Sequence, residues 1–199
     1  MNGPLLCQAL GKLMTLQAGL MLPAMAVALL YGESHALAFL YTALILLALG
    51  LPMWRFSKPK ASDIRPKEGF VLVALAWMML SAFGALPFMF GGVTVHYWDA
   101  LFESVSGITT TGASVFPSVS RLSQSLLFWR SFQHWEGGMG VLIMTLAMMP
   151  RLSGRSSLLA RAESPGPMFN KLLPRMRDAA KFMYLVYIGL TALLLSGLL

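Results

Sequence analysis

The sequence predicts an all-α integral membrane protein with five spanning helices and a re-entrant pore loop between the third and the fourth. Three observations carry that expectation. Apolar runs at residues 13–31, 37–54, 69–90, 126–149 and 182–199 each approach the ~20 residues that a spanning helix needs. Only 12% of the chain is charged and 57% is hydrophobic, with a mean hydropathy of +0.68, whereas soluble domains carry about 25% charged residues. Between the third and fourth runs, WDALFESVSGITTTGASVFP at 98–117 joins a stretch too short to cross a bilayer to a Thr-rich turn holding one Gly.

The charge balance excludes other classes. Lys and Arg number 15 against 8 Asp and Glu, for a net charge of +7, but these charges flank apolar runs and do not build a nucleic-acid surface. The single Cys7 forms no internal disulfide and offers no paired-cysteine zinc spacing, and His35, His96 and His134 are scattered. HExxH, GxSxG and a paired intramembrane Asp are all missing, which argues against a membrane enzyme or protease using His134 and Glu136.

Taken in order, the first run has Lys12 as its only upstream charge, and Ala36-Leu37-Ala38 resembles a signal-peptide cleavage site. The run is longer than the ~7–15 residues of a signal peptide's apolar region, so it is read as a membrane helix. Arg55, Lys58, Lys60, Arg65 and Lys67 follow the second run, and Arg151, Arg155, Arg161, Lys171, Arg175 and Arg177 follow the fourth. Basic loops stay on the cytoplasmic side, so the N-terminus is expected inside, and connections 32–36 and 91–99, free of Lys and Arg, outside. Tyr31, Trp54, Trp98 and Trp129 fall near the expected interfaces, as an aromatic belt requires.

The pore loop enters from outside. As helix, residues 99–107 span about 13 Å, against a hydrocarbon core of roughly 30 Å. Non-helical backbone at membrane depth is tolerated only inside protein or beside a watery cavity. The C-terminal end of such a helix favours a cation by up to ~1 kcal/mol or somewhat more when partly buried. Thr109, Thr110 and Thr111 are β-branched and favour extended backbone, while Gly112 accepts φ > 0 and lets carbonyls converge on one axis. Alone, TTTGA is equally an ordinary Thr/Gly turn; the flanking spans favour an ion site.

Four motifs in one order then make a resemblance specific: ALPF at 85–88, ALFESVSGITTTGAS at 100–114, WRSFQHWEGGMG at 129–140 and AESPGP at 162–167. The chain resembles the Trk-type potassium uptake proteins of the Trk/Ktr/HKT cation transporter superfamily over essentially its whole length. The resemblance implies that Thr109, Thr110, Thr111, Gly112 and Ala113 form one quarter of a potassium-selective filter, with carbonyl ligands from Thr110, Thr111 and Gly112. Gly112 stands at the family's filter glycine; Ser there accompanies sodium preference in plant relatives, so Gly112 leans toward potassium. Potassium is then the transported ion, with no cofactor. Implied partners are membrane lipid, a soluble nucleotide-binding regulatory subunit and a second copy of the complete protein, at the cell inner membrane.

The resemblance divides the chain into two leading helices at 1–60, a membrane-pore-membrane repeat at 61–152, and a cytoplasmic link with the first helix of a second repeat at 153–199. Family members carry four repeats around a pseudo-fourfold axis, so the chain is expected to be a fragment or truncated gene product. A homo-oligomeric cation channel and a non-transporting scaffold are the alternatives.

Other residues carry two readings each. Glu136 lies within the fourth span, where an ionisable residue costs ~2.5–3.5 kcal/mol and marks function by default, yet pairing with a basic residue is the common outcome. Arg130 and His134, four apart, share a face near the outer interface. Gly137, Gly138 and Gly140 are read as close-packing positions more than a gating hinge. Asp99 and Glu103 either concentrate cations at the outer mouth or serve the helix N-terminus. The basic loop 151–177 is suited to anionic headgroups, at about 1 kcal/mol per residue near the surface.

Overall fold

The computed structural model describes residues 3–57, 66–148 and 172–198, and every regular element among them is helical. The described residues fall into two units, Met1–Gly138 and Met139–Leu199. The basic loop, the AESPGP motif and the expected divisions at 60/61 and 152/153 lie outside the described residues.

In the first unit, helices α1 (Gly3–Leu30) and α2 (Ala36–Phe56) pack against each other as a hairpin. Met14, Ala18, Met21 and Ala24 of α1 meet Phe39 and Leu46 of α2 in a buried cluster that also takes in Ala85, Phe88, Ala100, Leu126 and Trp129. The opposite faces expose Leu16, Leu22, Leu29, Leu40, Leu44 and Leu51. Helices apolar all round suit a lipid surrounding, where such leucines cost nothing.

The third apolar run is two helices, α3 (Pro66–Gly84) and α4 (Leu86–Phe90), where one was expected. Pro87 is the cause: its ring lacks an N–H and crowds the preceding turn. The Phe88 amide then donates to the Ala85 carbonyl at 3.1 Å, which leaves the Gly84 carbonyl without a partner in its own helix. Two side chains from α6 (Gln124–Met148) answer it, the Trp129 indole at 3.0 Å and the Gln133 amide at 3.1 Å. A break at membrane depth is stable only when the freed group is bonded again.

Helix α5 (Tyr97–Ile108) has 12 residues and so measures about 18 Å. It extends the expected 99–107 by two residues at its start and one at its end. Ala100, Glu103, Ser104 and Gly107, at helical spacing, form its buried face. Gly137 of α6 fits against the end of α5 so closely that a Cβ there would overlap the Ile108 carbonyl, which bears out the close-packing reading of that glycine.

Among the described residues, three segments are long and apolar enough to cross a membrane: Gly3–Leu30, Ala36–Phe56 and Glu68–Phe90. Helix α6, at 25 residues, has the length but carries Arg130, His134 and Glu136. In the second unit, α7 (Leu172–Leu198) contains a shorter apolar stretch, Lys181–Gly197. Trp129 corrects the aromatic-belt expectation: it is fully buried and bonded to Gly84, while Tyr31, Trp54 and Trp98 are exposed.

The contact at Gly137 yields a test. Gly137→Ala should destabilise the detergent-solubilised protein by about 1–3 kcal/mol, the usual cost of overpacking. Gly189→Ala, in α7 with nothing near its added carbon, should be neutral or stabilising. Thermal unfolding of both variants checks this; equal midpoints would mean that α5 and α6 do not meet closely at Ile108.

Candidate functional site

Backbone hydrogen bonding closes α5 and opens the loop after it. The Thr109 amide donates to Val105 at 2.8 Å, Thr110 to Gly107 at 2.9 Å, and Thr111 to Ser106 at 2.9 Å. The hydroxyl of Thr109 also donates to the Val105 carbonyl at 2.7 Å and lies 2.8 Å from that of Thr111. Gly112 has φ +79°, as expected of the one Gly in the turn, and its Cβ position is open, with His134 Nε2 nearest at 3.8 Å.

The threonines differ from their expectation. Thr109 sits at φ −81°, ψ 2° and Thr110 at φ 58°, so two residues expected to be extended continue the turn instead. A β-branched residue in the left-handed region costs about 1–3 kcal/mol and persists only where its surroundings hold it. The amide bonds back to Gly107 and Ser106 provide that hold. The result is a tight reversal whose residues 109–113 are all exposed, directly after a buried face. The carbonyls of Thr109, Thr110 and Thr111 accept no hydrogen bond from the described residues.

Gly112 and Ala113 are tied from behind. Arg130 donates through Nη2 to the Gly112 carbonyl at 2.9 Å, and Ser106 donates its hydroxyl to the Ala113 carbonyl at 2.6 Å. The Gly112 oxygen, expected among the ion ligands, is thus engaged by a guanidinium. Glu103 is fully buried and is not a mouth residue. Its Oε2 accepts from Arg130 Nε at 3.0 Å; its Oε1 accepts from the Val115 amide at 2.7 Å and from the Ser114 hydroxyl. Asp99 accepts instead from Thr94 at 3.3 Å near the start of α5. His134 shares a face with Arg130, as its spacing suggested, its Nδ1 lying 2.8 Å from the Arg130 carbonyl. Both carboxyl oxygens of Glu136 are buried without a hydrogen-bond partner among the described residues.

Helix α6, which delivers Arg130, is anchored at its start by a residue the sequence reading passed over. Glu33, in the turn between α1 and α2, accepts from the Gln124 amide at 2.7 Å, from the Ser125 amide at 3.2 Å and from the Ser125 hydroxyl. A carboxylate satisfying the free amides of a helix N-terminus also meets its positive dipole end. Burial pushes the Glu33 carboxyl up, but the bonds from Ser125 and Gln124, with the His35 imidazole nearby, outweigh it and hold the group below its usual value. No local signal marks this cap, because the partners are 91 and 92 positions apart.

Residues 35–198 match the TrkH family, described as a cation transport protein. This chain belongs to the TrkH family. The Trk system potassium uptake protein TrkH of Escherichia coli (strain K12) is 38% identical over 183 residues, covering 91% of this chain and 38% of that protein. TrkG of the same organism is 36% identical over 179 residues, 89% of this chain and 37% of its own length. TrkH of Halomonas elongata is 34% identical over 189 residues, with 94% and 39% covered. The crystal structure of the potassium transporter TrkH from Vibrio parahaemolyticus superposes with a TM-score of 0.80 at 30% identity, over 96% of this chain and 38% of that one. The chain thus spans about two fifths of the length of the TrkH relatives it matches. They are transport proteins by name.

The Glu33 cap gives this TrkH-family chain a pH signature. Because the folded carboxyl lies below its usual value, its stabilising contribution is complete above the ordinary carboxyl range and is lost as the pH falls through the folded value. Glu33→Gln should lower the unfolding midpoint at neutral pH and narrow the gap between wild type and variant at acid pH. Thermal unfolding in detergent across that range is the measurement; parallel curves would mean that the charge on Glu33 contributes nothing.

Proposed function

We propose that this chain supplies one quarter of a potassium uptake pathway across the cell inner membrane, with residues 109–113 as its part of the selectivity filter. The observation that carries the reading is the exposed stretch Thr109, Thr110 and Thr111, whose carbonyls accept no hydrogen bond from the described residues, at the C-terminal end of a helix too short to span a membrane. Carbonyl oxygens replacing an ion's hydration shell are the means of selective cation passage, and the helix end adds negative potential. Thr109, Thr110 and Thr111 provide ligands, Gly112 turns the chain, and Ala113 frames them. The names of the relatives point to potassium.

In this reading α1 and α2 lead, α3 to α6 form one membrane-pore-membrane repeat and α7 opens the next, with α6 and α7 as the fourth and fifth spans. The N-terminus lies inside, following the basic residues. A soluble nucleotide-binding regulatory subunit at the cytoplasmic face and a second copy of the complete assembly are the partners proposed. One quarter of a filter cannot surround an ion, so the other oxygens come from further repeats.

The test uses Escherichia coli lacking its own potassium uptake systems. A chimaera in which this chain replaces the matching segment of the Escherichia coli TrkH should restore growth at low potassium, and the 199-residue chain alone should not. Growth with the chain alone would favour a homo-oligomeric channel. Failure of the chimaera, with protein present in the membrane, would contradict the proposed role.

A further inference from the structure

One ion pair grips the loop on both sides of Ala113. Ahead of it, Arg130 Nη2 holds the Gly112 carbonyl at 2.9 Å. Beyond it, Glu103 Oε1 holds the Val115 amide at 2.7 Å and the Ser114 hydroxyl. The two grips are joined by the 3.0 Å contact between Arg130 Nε and Glu103 Oε2, with the carboxylate fully buried and the Arg130 side chain partly buried. The planar fork of Arg is what permits this: one nitrogen serves the carboxylate while another reaches the carbonyl.

We propose that Arg130 and Glu103 are positioning residues for ion selectivity, fixing which carbonyls of residues 109–113 are offered to the ion. This rests on the filter reading above and goes further, because it assigns the choice of ligands to two side chains that do not touch the ion. Bonding to a guanidinium occupies the Gly112 oxygen and turns it toward α6, so the open oxygens are those of Thr109, Thr110 and Thr111. The buried carboxylate neutralises Arg130, whose charge would otherwise repel a cation held at the neighbouring carbonyls. A filter loop tied at two points keeps its oxygens at a set spacing, and a set spacing is one basis for telling potassium from sodium.

Arg130→Lys separates this role from folding. A Lys keeps the charge and the pair with Glu103 but, as a compact ammonium, does not span carboxylate and carbonyl together. In the chimaera, Arg130→Lys should reach wild-type abundance while its potassium-to-sodium uptake ratio falls by about tenfold, the scale of losing one charge-assisted hydrogen bond. Glu103→Gln, which keeps an acceptor for Val115 and removes the neutralising charge, should lower uptake of both cations. Unchanged ratio and rate in both variants at wild-type abundance would overturn the inference. So would failure of both to accumulate, since the pair would then serve folding alone. If the chimaera with the unaltered chain takes up no potassium, the filter reading fails and this inference falls with it; if it does and the variants match it, only this inference fails.

Discussion

The contact between Glu103 and Arg130 is the constraint on which the rest of the site depends. Burying a carboxylate and a guanidinium costs several kcal/mol per ion unless each finds a partner and the remaining lone pairs and protons are bonded. Here the carboxylate bonds to Arg130, Val115 and Ser114, and the guanidinium to Glu103 and Gly112. Removing either partner strands the other, so α5, the loop after it and α6 stand together. The strained backbone at Thr110 is held in the same way, by amides bonded back into the last turn of α5.

The scaffold exists to bring α6 to that meeting point. Pro87 breaks the α3–α4 helix and leaves a bare carbonyl at Gly84, which Trp129 and Gln133 then cover. Trp129 immediately precedes Arg130, so the bond that repairs the break also sets the height of the guanidinium beside the loop. Gly137, two turns further, lets α6 lie against the end of α5. Glu33 fixes where α6 begins. Three contacts along one face thus determine a fourth.

Much of this was legible in the sequence, and the unread parts have one cause. Helix periodicity and turn chemistry are local, so the two leading helices, the short helix near 99–107 and the positive φ at Gly112 could be read from neighbouring residues. Long-range pairs could not. Glu103 and Arg130 are 27 apart, Trp129 and Gly84 are 45 apart, and Glu33 reaches across 91 positions. The same limit explains the errors. Trp129 looks like an interfacial aromatic until its indole has a carbonyl to bond, and Glu103, open between the outer mouth and the helix N-terminus, takes neither role once Arg130 faces it. The threonines read as extended by their β-branching, but the amide bonds of a helix end overrode that preference at Thr110.

The central claim is that the carbonyls of Thr109, Thr110 and Thr111 bind the transported ion. Anomalous diffraction from crystals of the complete chimaeric transporter soaked in rubidium, a potassium mimic, tests it most directly. The account predicts an ion on the filter axis in direct coordination with these oxygens, while the Gly112 carbonyl remains bonded to Arg130. Rubidium found only elsewhere, with the three threonine carbonyls bonded to protein or water, would contradict it.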